Sequence, residues 1–137
     1  MQRLVVLEAH GTDEFVAGLQ RAWDAGDAVL PLDPRLPGPA REAVLAAAGA
    51  DEPVEAGDAL VMVTSGTTGE PKGVVLTHDA VAASATATSA ALEVDPTKDR
   101  WLACLPLSHV GGLSVVTRAL LTGTPLTLHD GFDADRV

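Results

Sequence analysis

Tyrosine is absent from the 137 residues, and phenylalanine and tryptophan occur twice each. A chain that is 47% hydrophobic yet so poor in aromatics must build its core from Ala, Val and Leu. Cys104 is the only cysteine, so no internal disulfide can form and nothing points to an oxidising compartment. Positive charge is scarce too: nine Lys and Arg stand against nineteen Asp and Glu, a formal net charge of −10. That balance argues against nucleic acid or an anionic membrane surface as a partner, because both are bound by clustered cations. No apolar run approaches the ~20 residues that span a bilayer. The opening "MQRLVVLEAHGTDEF" lacks the apolar run and cleavage site of a signal peptide. A soluble cytoplasmic protein with a core of one ordinary domain is expected.

What is present alternates. "RLVVLEA" (Arg3 to Ala9) reads as a strand and "TDEFVAGLQRAWDAG" as a helix capped by Thr12 or Asp13, with Phe15, Leu19 and Trp23 on one stripe. "DAVLPLD" reads as a strand, and "PGPAREAVLAAAGA" as a helix from about Pro39 to Gly49. An acidic linker leads into "ALVMVTS", whose unbroken apolar character suits a buried strand. "GVVLTH" is extended and "HDAVAASATATSAALEV" helical. "RWLACLPL", "GGLSVVTRALLTG" and "TPLTLHD" read as strand, helix and strand. In the closing "GFDADRV", Asp133 stands where a further helix would be capped. The order predicts an α/β fold with a largely parallel sheet.

Between the buried strand and "GVVLTH" lies "TSGTTGEPKG", Thr64 to Gly73. Gly66 and Gly69 permit sharp turns and leave no Cβ between amide groups and a ligand. Thr64, Ser65, Thr67 and Thr68 add hydroxyls, Lys72 adds a cation, and Pro71 stiffens the approach to it. Convergent backbone N–H groups at the end of a strand suit a polyphosphate. A Ser/Thr/Gly surface turn has the same composition. The Walker A pattern does not apply: Pro71 precedes Lys72, Gly73 follows it, and extended chain rather than helix comes next.

"TSGTTGEPKG" resembles the signature loop of the adenylate-forming enzymes: acyl-CoA synthetases, luciferases and peptide-synthetase adenylation domains. The resemblance continues through "VVLTH" and "LPLSHVGGLS" (Leu105 to Ser114) and back to "AGDAVLPLDPRLP", from about Ala25 to Val137. The "HVGGLS" form is most similar to the family's o-succinylbenzoate–CoA ligase branch, which serves menaquinone biosynthesis. The resemblance implies that ATP activates a small-molecule carboxylic acid to an acyl-adenylate, and that coenzyme A then takes the acyl group. It implies Thr64, Ser65, Gly66, Thr67, Thr68, Gly69 and Lys72 around the β- and γ-phosphates, with Mg²⁺ alongside through unknown ligands. His109 would meet the acid, and Gly111 and Gly112 would leave room for it.

The family's later motifs are not found before Val137. They are an acidic Gly-rich segment, an aspartate for the ribose hydroxyls, and a lysine on a small C-terminal domain. Residues 1–137 are therefore expected to be part of a large N-terminal AMP-binding domain, inactive by themselves and prone to self-association through open sheet edges. A non-catalytic nucleotide-binding or interaction module, a remnant of the family, is the alternative. The remaining conspicuous residues read as structural. Cys104 is expected in the core, Trp23 and Trp101 in packing, Asp33 in a turn, and His78 beside an N-cap. His10 and His129 lack partners for a metal site.

Overall fold

Apolar runs and alanine-rich stretches become six strands and four helices in the computed structural model, which describes residues 1–137 except Gly66 and Thr68. In chain order they are β1 (Leu4–Glu8), α1 (Asp13–Asp24), β2 (Ala28–Leu32), α2 (Gly38–Ala48) and β3 (Asp58–Thr64). Then follow β4 (Lys72–Thr77), α3 (His78–Ala91), β5 (Trp101–Ala103), α4 (Val110–Thr122) and β6 (Leu126–Leu128). One sheet has the order β1-β2-β3-β4, with β1, β2 and β3 parallel and β4 returning antiparallel to β3; β5 and β6 form a separate parallel pair. The fold is thus α/β with mostly parallel pairing. Because only the Gly/Thr loop separates β3 from β4, that pair closes as a hairpin rather than through a crossover helix.

The inner strands β2 and β3 bury both faces by simple alternation. Val29, Leu60 and Met62 pack with Phe15 and Leu19 of α1 and Leu113 of α4. Ala28, Leu30 and Val61 face the other way, where α2 covers them with Leu45 and Ala48. Leu19, Leu30 and Leu113 are essentially inaccessible, and each such side chain contributes about 1.5–3 kcal/mol on burial. Thr12 caps α1 through its hydroxyl, which accepts from Phe15 N, and α2 ends at Gly49 in the left-handed conformation (φ 64°). Trp23 is partly buried on the α1 stripe, and its Nε1 donates to Ala59 O.

Several expectations need correcting. β5 stops at Ala103 instead of running to Leu107, because Pro106 lacks a ladder donor and the segment turns there. Cys104 consequently sits past the strand end and is half-buried, not a core thiol. Residues 133–136 form a turn, in which the Asp133 carboxylate accepts from Asp135 N. β4 is an open edge carrying Val74 and Val75 at 43% and 52% exposure, and the self-association expectation rests on this surface.

One proline shapes the sheet. Ala28 N donates to Arg3 O, and Leu32 O accepts from Ala9 N, so residues 28, 30 and 32 turn their peptide groups toward β1. Pro31 has the opposite parity, so its missing N–H lies on the β3 side. The β2–β3 ladder registers only Val29 with Leu60. Beyond that point no further pair is registered, and a gap bounded by Pro31 and Asp33 on one side and Thr64 and Ser65 on the other lies at the carboxyl ends of the two strands, where ligands of open α/β sheets bind.

Candidate functional site

β3 delivers Thr64 to the mouth of this gap, and β4 begins opposite it at Lys72. Strand alternation fixes where Lys72 lies. A Cβ on Gly73 would come within 2.6 Å of Ala47 O, so Gly73 faces α2. Lys72, Val74 and Leu76 therefore share the other face, together with Thr64 across the hairpin. Lys72 is exposed and, among the described residues, makes no ion pair. Gly69 adopts φ 82° with open space around its Cα, as a turn presenting bare backbone requires. Ser65 and Thr67 are exposed. Among the described residues, the amides of Ser65, Thr67 and Gly69 donate to no other backbone group. Gly66 and Thr68 lie outside the described residues.

The second motif reaches the same gap from below. After β5, the turn through Leu105 and Pro106 places His109 at the N-cap of α4. Its carbonyl accepts from Leu113 N, but its imidazole makes no capping bond, unlike the hydroxyls of Thr12 and Thr77. A histidine that caps by position but not by side chain keeps its ring for other partners. Gly111 is exposed with nothing near its Cα, as expected of a residue that leaves room. Gly112 differs. It is buried, and a Cβ there would meet Leu105 O at 2.8 Å and Pro106 O closer still. Backbone fills the room expected for substrate at Gly112, so this glycine docks α4 onto the preceding turn.

These pieces wall connected cavities. One, of about 270 Å³, is bounded by Pro31 and Asp33 on the β2 side, Thr64, Ser65 and Gly69 on the loop, and His109 opposite. A second, of about 450 Å³, shares Thr64, Ser65, Ser108 and His109 and extends to Val74, Leu76 and Gly111. It adjoins a third of about 170 Å³ through Leu76 and Val110, a groove between α3 and α4 floored by Leu60. Among the described residues, Arg118 is the one charged side chain on that groove. Its guanidinium donates to Ser114 Oγ at 2.9 Å and stacks 4.8 Å from the centroid of the Trp101 ring. Sequence pattern singles out neither Arg118 nor Ser108. Nothing in spacing distinguishes an arginine facing a groove from one facing water, although Ser108 lies inside the quoted "LPLSHVGGLS".

Asp33 lines the first cavity with its side chain 20% exposed. Its carboxylate accepts from the Arg35 guanidinium at 3.1 and 3.3 Å and from Arg35 N at 2.9 Å, the turn expected of "PLDPRLP". Those hydrogen bonds hold the carboxyl below its ordinary pKa; partial burial opposes them, and the charges of Arg35 and His109 add to them. The folded-state value lies below the unfolded one of about 3.9. The stabilisation is therefore complete above that value and is lost as pH falls through the folded pKa. Asp33→Asn should narrow the stability gap from the native protein as the medium becomes acidic. Urea midpoints at pH 7 and pH 2.5 measure it, and an equal gap at both would refute the linkage.

Comparison with known proteins follows the same outline. The model of the AMP-binding enzyme family matches residues 50–137, which include the Gly/Thr loop, the His109 turn and α4. The chain belongs to the AMP-binding enzyme family. A 2-succinylbenzoate–CoA ligase of Listeria monocytogenes serotype 4b is 43% identical over 79 residues, which is 58% of this chain and 17% of that relative. Among solved structures, O-succinylbenzoate coenzyme A synthetase from Bacillus subtilis in complex with AMP superposes with a TM-score of 0.83 at 25% identity. It covers 98% of this chain and 45% of that one. The same enzyme with its acyl-adenylate intermediate gives 0.83 at 26% identity with the same coverage. The chain thus spans less than half of this solved relative, and the part of the Listeria enzyme that it matches is smaller still.

Outside the site, no helix is long and apolar enough to cross a membrane among the described residues. Nor do those residues contain a group of three or more His, Cys, Asp or Glu that could hold a metal ion.

Proposed function

We propose that residues 1–137 are part of the large N-terminal domain of an AMP-forming acid–CoA ligase, supplying its nucleotide grip and much of its acid pocket. We further propose that the acid is aromatic and of the 2-succinylbenzoate type. The observation that carries the reading is convergence. The Gly/Thr loop and the His109 turn, distant in sequence, wall the same cavities, and these continue into a largely apolar groove that carries Arg118.

In this reading the Thr64–Gly69 loop and Lys72 hold the β- and γ-phosphates of ATP, with fixed donors aimed at the pyrophosphate that departs. The acid's carboxylate attacks the α-phosphorus beside His109, whose free imidazole can donate to it. The P–O bond to pyrophosphate breaks and an acyl-adenylate forms. Coenzyme A then displaces AMP through its sulfur and leaves a thioester. A 2-succinylbenzoate carries two carboxylates, of which one is not activated; Arg118, on the wall of the groove and backed by the Trp101 ring, would hold that one. Mg²⁺ would neutralise phosphate charge when bound with the nucleotide. With no metal cluster of their own, the described residues suit an ion that arrives on the phosphates, and the Thr64 and Ser65 hydroxyls are oxygen donors of the kind it accepts.

Titration with ATP and then 2-succinylbenzoate, followed by Trp fluorescence, tests the assignment, because Trp101 reports on the guanidinium stacked upon it. Arg118→Ala should weaken 2-succinylbenzoate at least tenfold while leaving ATP affinity unchanged. Failure of the native protein to bind this acid would remove the substrate assignment. Carboxylate-dependent ATP–pyrophosphate exchange by residues 1–137 alone would overturn their proposed incompleteness.

A further inference from the structure

α3 has the sequence HDAVAASATATSAA, fourteen residues in which nothing after the first turn is larger than Val or Thr. Close packing explains only part of this economy. Val81 and Ala85 are buried, and smallness there lets α3 approach the sheet and α4. Ala80 and Ser84 are exposed, so no packing neighbour limits their size. Both nevertheless line the groove that carries Arg118. They are four residues apart on one face of α3, as Val110, Ser114 and Arg118 are along the facing side of α4. Two straight helical rows thus bound a slot closed below by Leu60 and Leu76, with the Arg118 guanidinium on one wall and its Nε buried without a partner among the described residues.

We infer that α3 sets the size of the acid admitted, with Ala80 and Ser84 as specificity-determining residues whose small side chains keep the slot beside Arg118 open. This rests on the acid-pocket reading above and adds a wall to it. A branched side chain on that row fills the slot without disturbing the phosphate loop, which lies at the other end of the connected cavities. Ser84 acts by volume; its hydroxyl is not required.

The test uses Trp fluorescence titrations of ATP, 2-succinylbenzoate and unsubstituted benzoate against the native protein, Ser84→Leu, Ala80→Leu and Ser84→Ala. Both leucine variants should bind 2-succinylbenzoate at least tenfold more weakly, change benzoate by less than threefold and leave ATP unaltered. Ser84→Ala should match the native protein. Leucine is a good helix former and both positions are exposed, so the helix persists and unaltered ATP binding confirms it. Native-like affinity for 2-succinylbenzoate in both leucine variants overturns the inference. So does an alanine variant as weak as the leucine one, since that would show a hydrogen bond rather than size. If the native protein binds ATP but not 2-succinylbenzoate, the substrate reading fails first and takes this inference with it.

Discussion

Gly112→Ala is expected to cost more stability than any other single-methyl addition to the α4 entry, upwards of about 3 kcal/mol. The new methyl would be driven into the Leu105 and Pro106 carbonyls, which are backbone and cannot rotate away. Either α4 lifts off the turn or the turn deforms, and His109 sits at that joint. Thermal unfolding should show a fall in Tm of 10 °C or more, given that about 1 kcal/mol shifts a domain of this size by several degrees. Gly111→Ala is the control one residue away. Nothing lies near its Cα, and Ala is favoured over Gly inside a helix by roughly 0.5–1 kcal/mol, so Tm should hold or rise slightly. Equal losses at both positions would show that helix entry, not the carbonyl contact, is what the glycines serve.

Lys72→Met is expected to weaken ATP by between about tenfold and a hundredfold, or about 1.4–2.8 kcal/mol, while changing AMP by less than threefold. The distinction follows from the proposed grip of Lys72, which lies opposite Thr64 on the β4 face turned away from α2, on the terminal phosphates that AMP lacks. Methionine keeps the length of the side chain and its fit to an edge strand, so the fold should be indifferent. Calorimetric titration with the two nucleotides decides the matter. Equal weakening of both would place the cation at the α-phosphate or the nucleoside instead.

Much of the scaffold could be read from residue order because local chemistry dictated it. Thr12 before an amphipathic stripe, Gly49 after an alanine run, and five apolar residues leading to a Gly/Thr loop each have one favourable conformation. The Gly/Thr loop was legible for the same reason: nothing in a core needs four hydroxyls and three glycines side by side. Features created by long-range contact were not legible. Gly112 looks like Gly111 until the Pro106 carbonyl is placed beside it. Arg118 sits on α4 at a spacing equally suited to solvent, and only the arrival of α3 makes a groove of that face. For His109 only the resemblance pointed past capping, since a histidine before a helix otherwise suggests a capping side chain, which the structure does not show. β5 was read too long because apolar character alone does not reveal where a partner strand ends.

Pro31 also governs how the site can yield. Past Val29 the β2–β3 ladder registers no further pair and Pro31 withholds a donor, so this end of the seam is held by fewer peptide hydrogen bonds than a full ladder would supply. The cavity between Asp33 and Thr64 thus opens where the sheet is least stitched, while the β1–β2 ladder beside it keeps five registered pairs.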